Sequence, residues 1–221
     1  DCLLSRGLGD VYKRQHLQTK LFDRPVMISR TGYTGERGYE IFCKAADAPA
    51  IWDGILEKGK GLGIIPCAFT ALDWLRVESY LLFFPYDNSE MYPFADQPAG
   101  DTLWELGLDF TVSPTKGDFR GANEHRRLQG RERFKIFGVL LDGDKAAEAG
   151  DTLWADGKQV GVITCAMYSR LSGKSMAIAR MDVPYAEQGA PLEVNGSLTV
   201  NAIAHSLPFD DPEKKKRTAK G

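Results

Sequence analysis

Alternating apolar and polar residues open the first half of the chain. Between residues 25 and 44 this alternation lies on both sides of a glycine cluster, which predicts a strand, a tight turn and a second strand. Asp47 and Pro49 then precede apolar residues at helical spacing, and the run stops at Gly59. This order of N-cap, early proline, apolar stripe and terminal glycine predicts an amphipathic helix.

A second helical pattern covers residues 67–78 and places Phe69, Leu72 and Leu75 on one face. The continuous apolar run at residues 80–84 predicts a buried strand after it. A polar helix is predicted at residues 121–129. Strands and helices are therefore mixed in the first half of the chain.

After Gly130 the pattern changes to short strand-like runs separated by glycine, aspartate, proline or serine. The runs cover residues 134–141, 159–166, 175–181, 192–194 and 198–204. Several short strands at regular spacing predict a small β-barrel or a sandwich. The predicted fold class is α+β, with a mixed α/β portion over residues 16–130 and a small β domain over residues 131–210.

The pentapeptide Gly-Asp-Thr-Leu-Trp occurs twice, at residues 100–104 and 150–154. The residues on either side of the two copies do not match. A turn followed by a strand readily produces such a sequence, so we interpret the repetition as coincidence and predict no solenoid.

The two ends of the chain differ from the part between them. Residues 1–15 lack an initiator methionine and show no clear period, so we expect a non-native or disordered segment and a truncated N-terminus. A native helix start is the alternative. Residues 211–221 carry a lysine-rich run after prolines, which predicts a solvated basic tail, with attraction of an acidic partner as the alternative.

Composition narrows the classes of function. The 221 residues are 43% hydrophobic and 26% charged, which is typical of a globular protein with one large or two small domains. A formal charge of -2 disfavours nucleic acid as a partner and favours a small organic substrate. No apolar run reaches the length of a membrane-spanning helix, so no membrane segment is expected.

Cysteine and histidine are too dispersed to indicate a disulfide framework or a metal site. They stand at Cys2, Cys43, Cys67, Cys165, His16, His125 and His205, and no two cysteines form a C-x-x-C pair. We therefore predict a reducing, cytoplasmic location and no bound metal.

Residues 29–42, Ser-Arg-Thr-Gly-Tyr-Thr-Gly-Glu-Arg-Gly-Tyr-Glu-Ile-Phe, concentrate groups that can bind a flat ligand. The glycines allow a close backbone approach, and Tyr33 and Tyr39 offer ring faces. Glu36 and Glu40 can each accept two parallel hydrogen bonds from an amidine-like edge, such as that of the pterin ring of a folate. A glycine-rich turn with exposed glutamates is the alternative interpretation.

This segment resembles a signature of the glycine cleavage T-protein family. The similarity continues through Asp73-x-Leu75-Arg76-x-Glu78 and through residues 106–110, 116–121, 161–164 and 173–179, so it covers most of residues 25–212. The resemblance implies a tetrahydrofolate-dependent aminomethyltransferase or demethylase whose three-domain disc ends in a β-barrel. It thus favours an antiparallel barrel over residues 131–210 and part of a folate-binding domain over residues 16–130.

The resemblance also assigns roles to two residues. Glu40 matches the family's glutamate that hydrogen-bonds the pterin, and Tyr33 matches the tyrosine that lines the same pocket. The catalytic aspartate of the family lies upstream of this motif, in sequence that the chain does not contain, so we expect these 221 residues alone to be inactive. Tetrahydrofolate is the expected cofactor. The expected partner is a small-molecule one-carbon donor, with a lipoyl carrier protein as the alternative donor.

Two positions depart from the family pattern. Leu72 stands where the family has an arginine that contacts folate, and Phe69 stands where it has glycine. An aliphatic side chain cannot replace the five donors of a guanidinium group, so this wall of the pocket should be more apolar and less cationic. The change favours a demethylase of a small methylated donor over aminomethyl transfer in glycine cleavage. In the alternative, Leu72 only packs with Phe69 and Leu75 on the helix face.

Two further functions stay open on the same fold. One is a non-catalytic folate-binding protein, although the Lys-Gly-Cys-Tyr-x-Gly-Gln-Glu segment of such proteins does not occur in the chain. The other is the folate-binding tail of a flavin-dependent dimethylglycine or sarcosine dehydrogenase, which upstream sequence would reveal. Arg76 and Glu78 match the family as well, but on a helix they are expected to form a supporting salt bridge.

Overall fold

The computed structural model describes residues 16–93 and 100–210 of the chain. The segments predicted at residues 1–15 and 211–221 lie outside the described residues. The chain divides into two compact units at residues 76 and 77, and each is described by itself. Within the described ranges, no helix is long and apolar enough to cross a membrane.

The first unit contains a three-stranded antiparallel sheet. Its strands are β1 (His16–Leu21), β2 (Arg24–Ser29) and β3 (Glu40–Phe42), in the order β1-β2-β3. Phe22 and Asp23 both have positive φ, as the two-residue turn of the β1–β2 hairpin requires. The two strands predicted around the glycine cluster are confirmed, but the connection at residues 30–39 is a longer loop and not a tight turn. The strand β1 was not predicted.

Helix α1 (Ala48–Gly59) confirms the predicted amphipathic helix. Its residue Ile51 is buried with Leu21, Val26 and Ile28 of the sheet in one apolar cluster. Asp47 occupies the N-cap position, but its side chain makes no capping hydrogen bond. A short 3₁₀ turn at Ala45–Asp47 precedes the helix, and the Asp47 carboxylate lies 3.5 Å from Nε of Arg24 instead.

Helix α2 (Phe69–Glu78) confirms the second helical pattern. The residues placed on its apolar face differ in exposure: Phe69 is 62% exposed and Leu75 is 37% exposed, whereas Leu72 is half-buried. The buried side chains are Arg76 and Val77. Arg76 lies 2.5 Å from the Asp73 carboxylate, so it forms a salt bridge along the helix with Asp73, a partner that was not predicted.

The buried strand predicted at residues 80–84 is wrong. Tyr80 has a φ of 52° just after α2, which turns the chain, and Phe84 is 72% exposed. The Tyr80 hydroxyl donates to the Leu106 carbonyl at 2.5 Å. An apolar run predicts burial, but a strand also needs a neighbouring strand to pair with its backbone groups, and here the chain makes a turn at residues 84–87 instead.

The second unit contains helix α3 (Ala122–Arg127), which confirms the predicted polar helix, and a closed barrel of six strands. The strands are β4 (Phe134–Leu141), β5 (Thr152–Ala155), β6 (Lys158–Ser169), β7 (Lys174–Asp182), β8 (Pro191–Asn195) and β9 (Thr199–His205). All neighbours are antiparallel, in the order β4-β7-β6-β5-β8-β9, and β9 pairs with β4 to close the ring. The predicted barrel and the α+β class are therefore confirmed.

The two copies of the repeated pentapeptide adopt different structures. At residues 152–154 it forms most of β5, whereas residues 102–104 lie in an irregular segment and turn. Trp154 donates from Nε1 to Thr152 at 2.9 Å, and Trp104 donates from Nε1 to the His125 carbonyl at 2.8 Å. The interpretation of the repetition as coincidence is thus supported, although β5 itself was not predicted.

A β-bulge in β6 brings one side chain into contact with the segment that follows α2. Between Ile163 and Cys165 the register with β7 shifts, which leaves Thr164 as the extra residue. The Thr164 hydroxyl lies 2.5 Å from the carboxylate of Asp87, and Asp87 also accepts from the backbone N–H of Phe83 at 2.7 Å. Both Asp87 and Thr164 are buried, so the bulge supplies the partner that a buried carboxylate needs.

Candidate functional site

The glycine-rich loop at residues 30–39 leaves β2 and returns as β3. Ser29 at the end of β2 pairs with Glu40 at the start of β3. Above this pair the backbone comes close to itself: a Cβ placed on Gly38 would lie 3.3 Å from the Thr31 carbonyl oxygen and 3.6 Å from Cα of Gly32. Glycine at positions 32 and 38 therefore permits a narrow neck at the base of the loop.

Glu40 lies at this neck with its side chain exposed. Its carboxylate oxygen Oε2 accepts a hydrogen bond from the Thr31 hydroxyl. The Thr31 hydroxyl oxygen also lies 3.0 Å from that of Ser29. The neck thus holds one carboxylate beside two hydroxyl groups, with the carboxylate open to solvent.

Tyr33 lies within the loop and is half-buried. Gly35 follows with a φ of 78°, a left-handed conformation that glycine adopts without strain. The structure therefore brings both predicted site residues into one segment, with Tyr33 in the loop and Glu40 on the strand that ends it.

The other two residues of the motif that could bind a ligand have different surroundings. Tyr39 packs against the apolar cluster of the sheet and α1, so it supports the loop from below. Glu36 is exposed in the loop, where its backbone N–H donates to the Thr34 hydroxyl at 3.3 Å. Tyr39 is therefore packed against the core, whereas Glu36 faces solvent.

Thr31 and Ser29 were not singled out from the sequence. Their position beside Glu40 depends on the register of β2 with β3 and on the closure of the neck. Ser29 and Glu40, for example, are 11 positions apart in the sequence and become neighbours only when the two strands pair. The sequence signal that could have indicated Thr31 is its position directly before Gly32, the first glycine of the loop.

The groups at the neck and in the loop are of a kind that can bind a flat heterocycle. An exposed carboxylate can accept two parallel N–H bonds from an amidine-like group, and a tyrosine ring in the loop can lie against a flat heterocycle. In the described residues no group of three or more His, Cys, Asp or Glu side chains could hold a metal ion.

Two family models match the chain. The model of the GCVT N-terminal domain matches residues 12–116, and the model of the glycine cleavage T-protein C-terminal barrel domain matches residues 135–211. The barrel described above lies within the second range. A mixed α/β portion followed by such a barrel defines the class of aminomethyltransferase-like proteins.

Within that class, the chain belongs to the glycine cleavage T-protein family. The resemblance inferred from the loop motif is thereby confirmed.

Curated relatives of the chain have different activities in their names. The heme-dependent oxidative N-demethylase gamma subunit of Ectopseudomonas mendocina is 82% identical over 215 residues, which are 97% of this chain and 57% of that protein. Trimethylamine-oxide aldolase of Ruegeria pomeroyi is 38% identical over 77% of this chain and 21% of that protein. Aminomethyltransferase of Bacillus subtilis is 33% identical over 77% of this chain and 45% of that protein. The chain thus spans about half the length of the first and third of these relatives.

A solved structure has the same fold. The glycine cleavage system aminomethyltransferase T of Bartonella henselae superposes with a TM-score of 0.75 and 22% sequence identity. The match covers 90% of this chain and 53% of that one. At this identity the likeness establishes the fold alone.

Proposed function

We propose that the chain is part of the tetrahydrofolate-dependent subunit of an oxidative N-demethylase, where it accepts the one-carbon unit removed from a methylated amine. The observation that carries the proposal is the exposed Glu40 carboxylate at the neck of the glycine loop, in a chain 82% identical to an N-demethylase gamma subunit. When bound, tetrahydrofolate supplies the nucleophilic ring nitrogen that accepts the one-carbon unit.

Glu40 and Tyr33 have separate roles in this proposal. Glu40 accepts hydrogen bonds from the pterin edge, which fixes the ring in its own plane. Tyr33 lines the same pocket and limits the thickness of the bound ring. Positioning of this kind means that the nucleophilic nitrogen is already oriented when the one-carbon unit reaches the site. The acid–base residue is proposed to lie in sequence that these 221 residues do not contain.

The chemistry of demethylation gives a reason for such a subunit. Oxidation of an N-methyl group releases carbon at the oxidation level of formaldehyde, which reacts readily with protein amines. Capture by tetrahydrofolate keeps this carbon bound. Two relatives support a methylated-amine donor, because the names of both the N-demethylase subunit and trimethylamine-oxide aldolase refer to N-methyl chemistry.

Further features of the whole protein belong to the same proposal. The relative is named a gamma subunit, so we infer that the protein works with partner subunits. A cytoplasmic location fits the absence of paired cysteines in the sequence. We place the domain boundary near Gly130, between the ranges that the two family models match. No residue of the chain is assigned to a haem.

Aminomethyl transfer from a lipoyl carrier protein is the second candidate, because several relatives are aminomethyltransferases. Leu72 disfavours it, since the folate-contacting arginine of that pattern is replaced by a half-buried aliphatic side chain. An arginine would repel a methylated ammonium group, whereas leucine would not.

Binding of tetrahydrofolate by Glu40 can be measured directly. In the full-length protein, Glu40→Ala should weaken tetrahydrofolate binding by about 2–4 kcal/mol, because charge-assisted hydrogen bonds are lost and the pterin donors are left unpaired. Isothermal titration calorimetry gives the affinities. Glu57→Ala is the matched control, since Glu57 is an exposed carboxylate on α1 whose partner is Lys60. Affinities of wild type and Glu40→Ala within about threefold would contradict the assignment.

A further inference from the structure

The hydroxyl of Thr31 makes the one hydrogen bond that the described residues give to the Glu40 side chain. A hydroxyl group has a single proton, and a carboxylate can only accept. The Thr31 proton therefore goes to Oε2 of Glu40. The Ser29 hydroxyl oxygen, 3.0 Å away, is the other acceptor within reach of the Thr31 proton. Of the two acceptors, the charged carboxylate is the stronger.

The backbone holds this chain of hydroxyl groups in place. Ser29 and Glu40 are register partners on β2 and β3, so the distance between their backbones is set by the sheet. Thr31 is held from the other side, because its carbonyl oxygen lies against the Gly38 backbone at the neck. Ser29 and Thr31 are both half-buried, whereas Glu40 is exposed.

The arrangement leaves the two carboxylate oxygens of Glu40 in different situations. Oε2 is held by Thr31, while Oε1 accepts no hydrogen bond from the described residues. A free glutamate at a strand end samples several rotamers, and ordering it on ligand binding costs conformational entropy. A glutamate that is already held in one orientation binds its ligand without that cost.

We propose that Thr31 is a positioning residue, which orients the Glu40 carboxylate toward the pterin edge of tetrahydrofolate. The proposal rests on the proposed function, because it needs Glu40 to contact tetrahydrofolate. Thr31 itself touches no part of the ligand in this account. Its effect on binding therefore passes through the Glu40 side chain, and it should disappear when that side chain is removed.

A double-mutant cycle in the full-length protein tests this role, with tetrahydrofolate affinity measured by calorimetry. Thr31→Val keeps the shape of threonine without the hydroxyl and should weaken binding about 5–20-fold. Thr31→Ser restores the hydroxyl and should bind within about threefold of wild type. In the Glu40→Ala background, where Thr31 has no side chain to orient, Thr31→Val should change affinity by less than about twofold, and thermal unfolding should show all variants folded.

The outcomes separate this proposal from the function on which it rests. No binding of tetrahydrofolate by the wild type would overturn both. Binding that Glu40→Ala weakens but Thr31→Val leaves unchanged would overturn the positioning role alone. An equal loss from Thr31→Val with and without the Glu40 side chain would also overturn it, because the threonine would then act through the loop fold and not through the carboxylate. Failure of Thr31→Ser to restore binding would lead to the same conclusion.

Discussion

At the scale of single residues, a bidentate ion pair with Arg133 stabilises the buried carboxylate of Glu105 in the second unit. Glu105 is 1% exposed, and Arg133 donates to it from Nε at 2.7 Å and from Nη2 at 3.0 Å. The Arg133 backbone N–H adds a third bond at 3.1 Å. Burial alone would raise the pKa of Glu105, but these bonds and one from the Thr102 backbone hold it below its usual value.

Loss of the charge on Glu105 should therefore destabilise the fold. Glu105→Gln leaves Arg133 without its carboxylate partner, and we expect a cost of about 2–4 kcal/mol in the free energy of unfolding at neutral pH. Because the folded-state pKa is lowered, the stabilisation is present above the unfolded pKa and is lost as pH falls through the folded pKa. The difference between wild type and variant should thus shrink in acid.

Urea unfolding of the full-length protein at neutral and acidic pH measures both effects. Glu124→Gln is the control, because Glu124 is an exposed carboxylate that pairs with Arg127 on α3, and its unfolding midpoint should match that of wild type. A Glu105→Gln variant as stable as the control, or a stability difference independent of pH, would contradict this account.

The sequence could indicate candidate site residues only where they lie in one local pattern. Tyr33 and Glu40 belong to one short motif, so a family signature could indicate them. The partners of the buried carboxylates are not local: Glu105 and Arg133 are 28 residues apart, and Asp87 and Thr164 are 77 residues apart. Such pairs depend on tertiary contacts and on a β-bulge, neither of which a single sequence displays.

At the scale of elements, strong periodic signals predicted the structure well. The run at residues 134–141 coincides with β4, and α1 begins and ends within one residue of its sequence signals. Elements with weak signals were missed, such as β1, whose residues are mostly exposed and whose one buried side chain is Leu21. The apolar run after α2 was wrongly predicted as a strand, since hydrophobicity does not reveal whether a neighbouring strand lies within reach.

Strand β4 contains a glycine whose place in the barrel leaves no room for a side chain. A Cβ on Gly138 would lie 2.6 Å from the carbonyl oxygen of His205 and 2.8 Å from the ring of Phe209. Since β9 closes the barrel against β4, the backbone of His205 cannot move away without loosening that closure. We predict that Gly138→Ala destabilises the full-length protein by about 1–3 kcal/mol.

Thermal and urea unfolding measure this cost, with Gly117→Ala as the matched control. Gly117 is exposed, and a Cβ there would meet no atom within 4 Å. Its substitution should leave stability nearly unchanged. Equal midpoints for Gly138→Ala and Gly117→Ala would show that the β4–β9 seam is not as closely packed as described.

At the scale of the whole molecule, family membership and activity are separate questions. The two family models and the barrel establish the family, and relatives of the chain are named as an N-demethylase subunit, an aldolase and an aminomethyltransferase. One fold therefore carries several activities. We propose that the one-carbon donor is decided by the walls around the folate pocket, where Leu72 departs from the family arginine, and by the partner subunits.

The most direct test of the proposed function follows the methyl carbon. The full-length protein with its partner subunits is supplied with a secondary or tertiary methylamine that carries isotope-labelled methyl groups, with and without tetrahydrofolate. With tetrahydrofolate present, the label should appear on the folate and little free formaldehyde should accumulate, whereas Glu40→Ala should return the label to free formaldehyde. Label found only in free formaldehyde with the wild type, or one-carbon transfer to tetrahydrofolate solely from aminomethylated lipoyl carrier protein, would contradict the account.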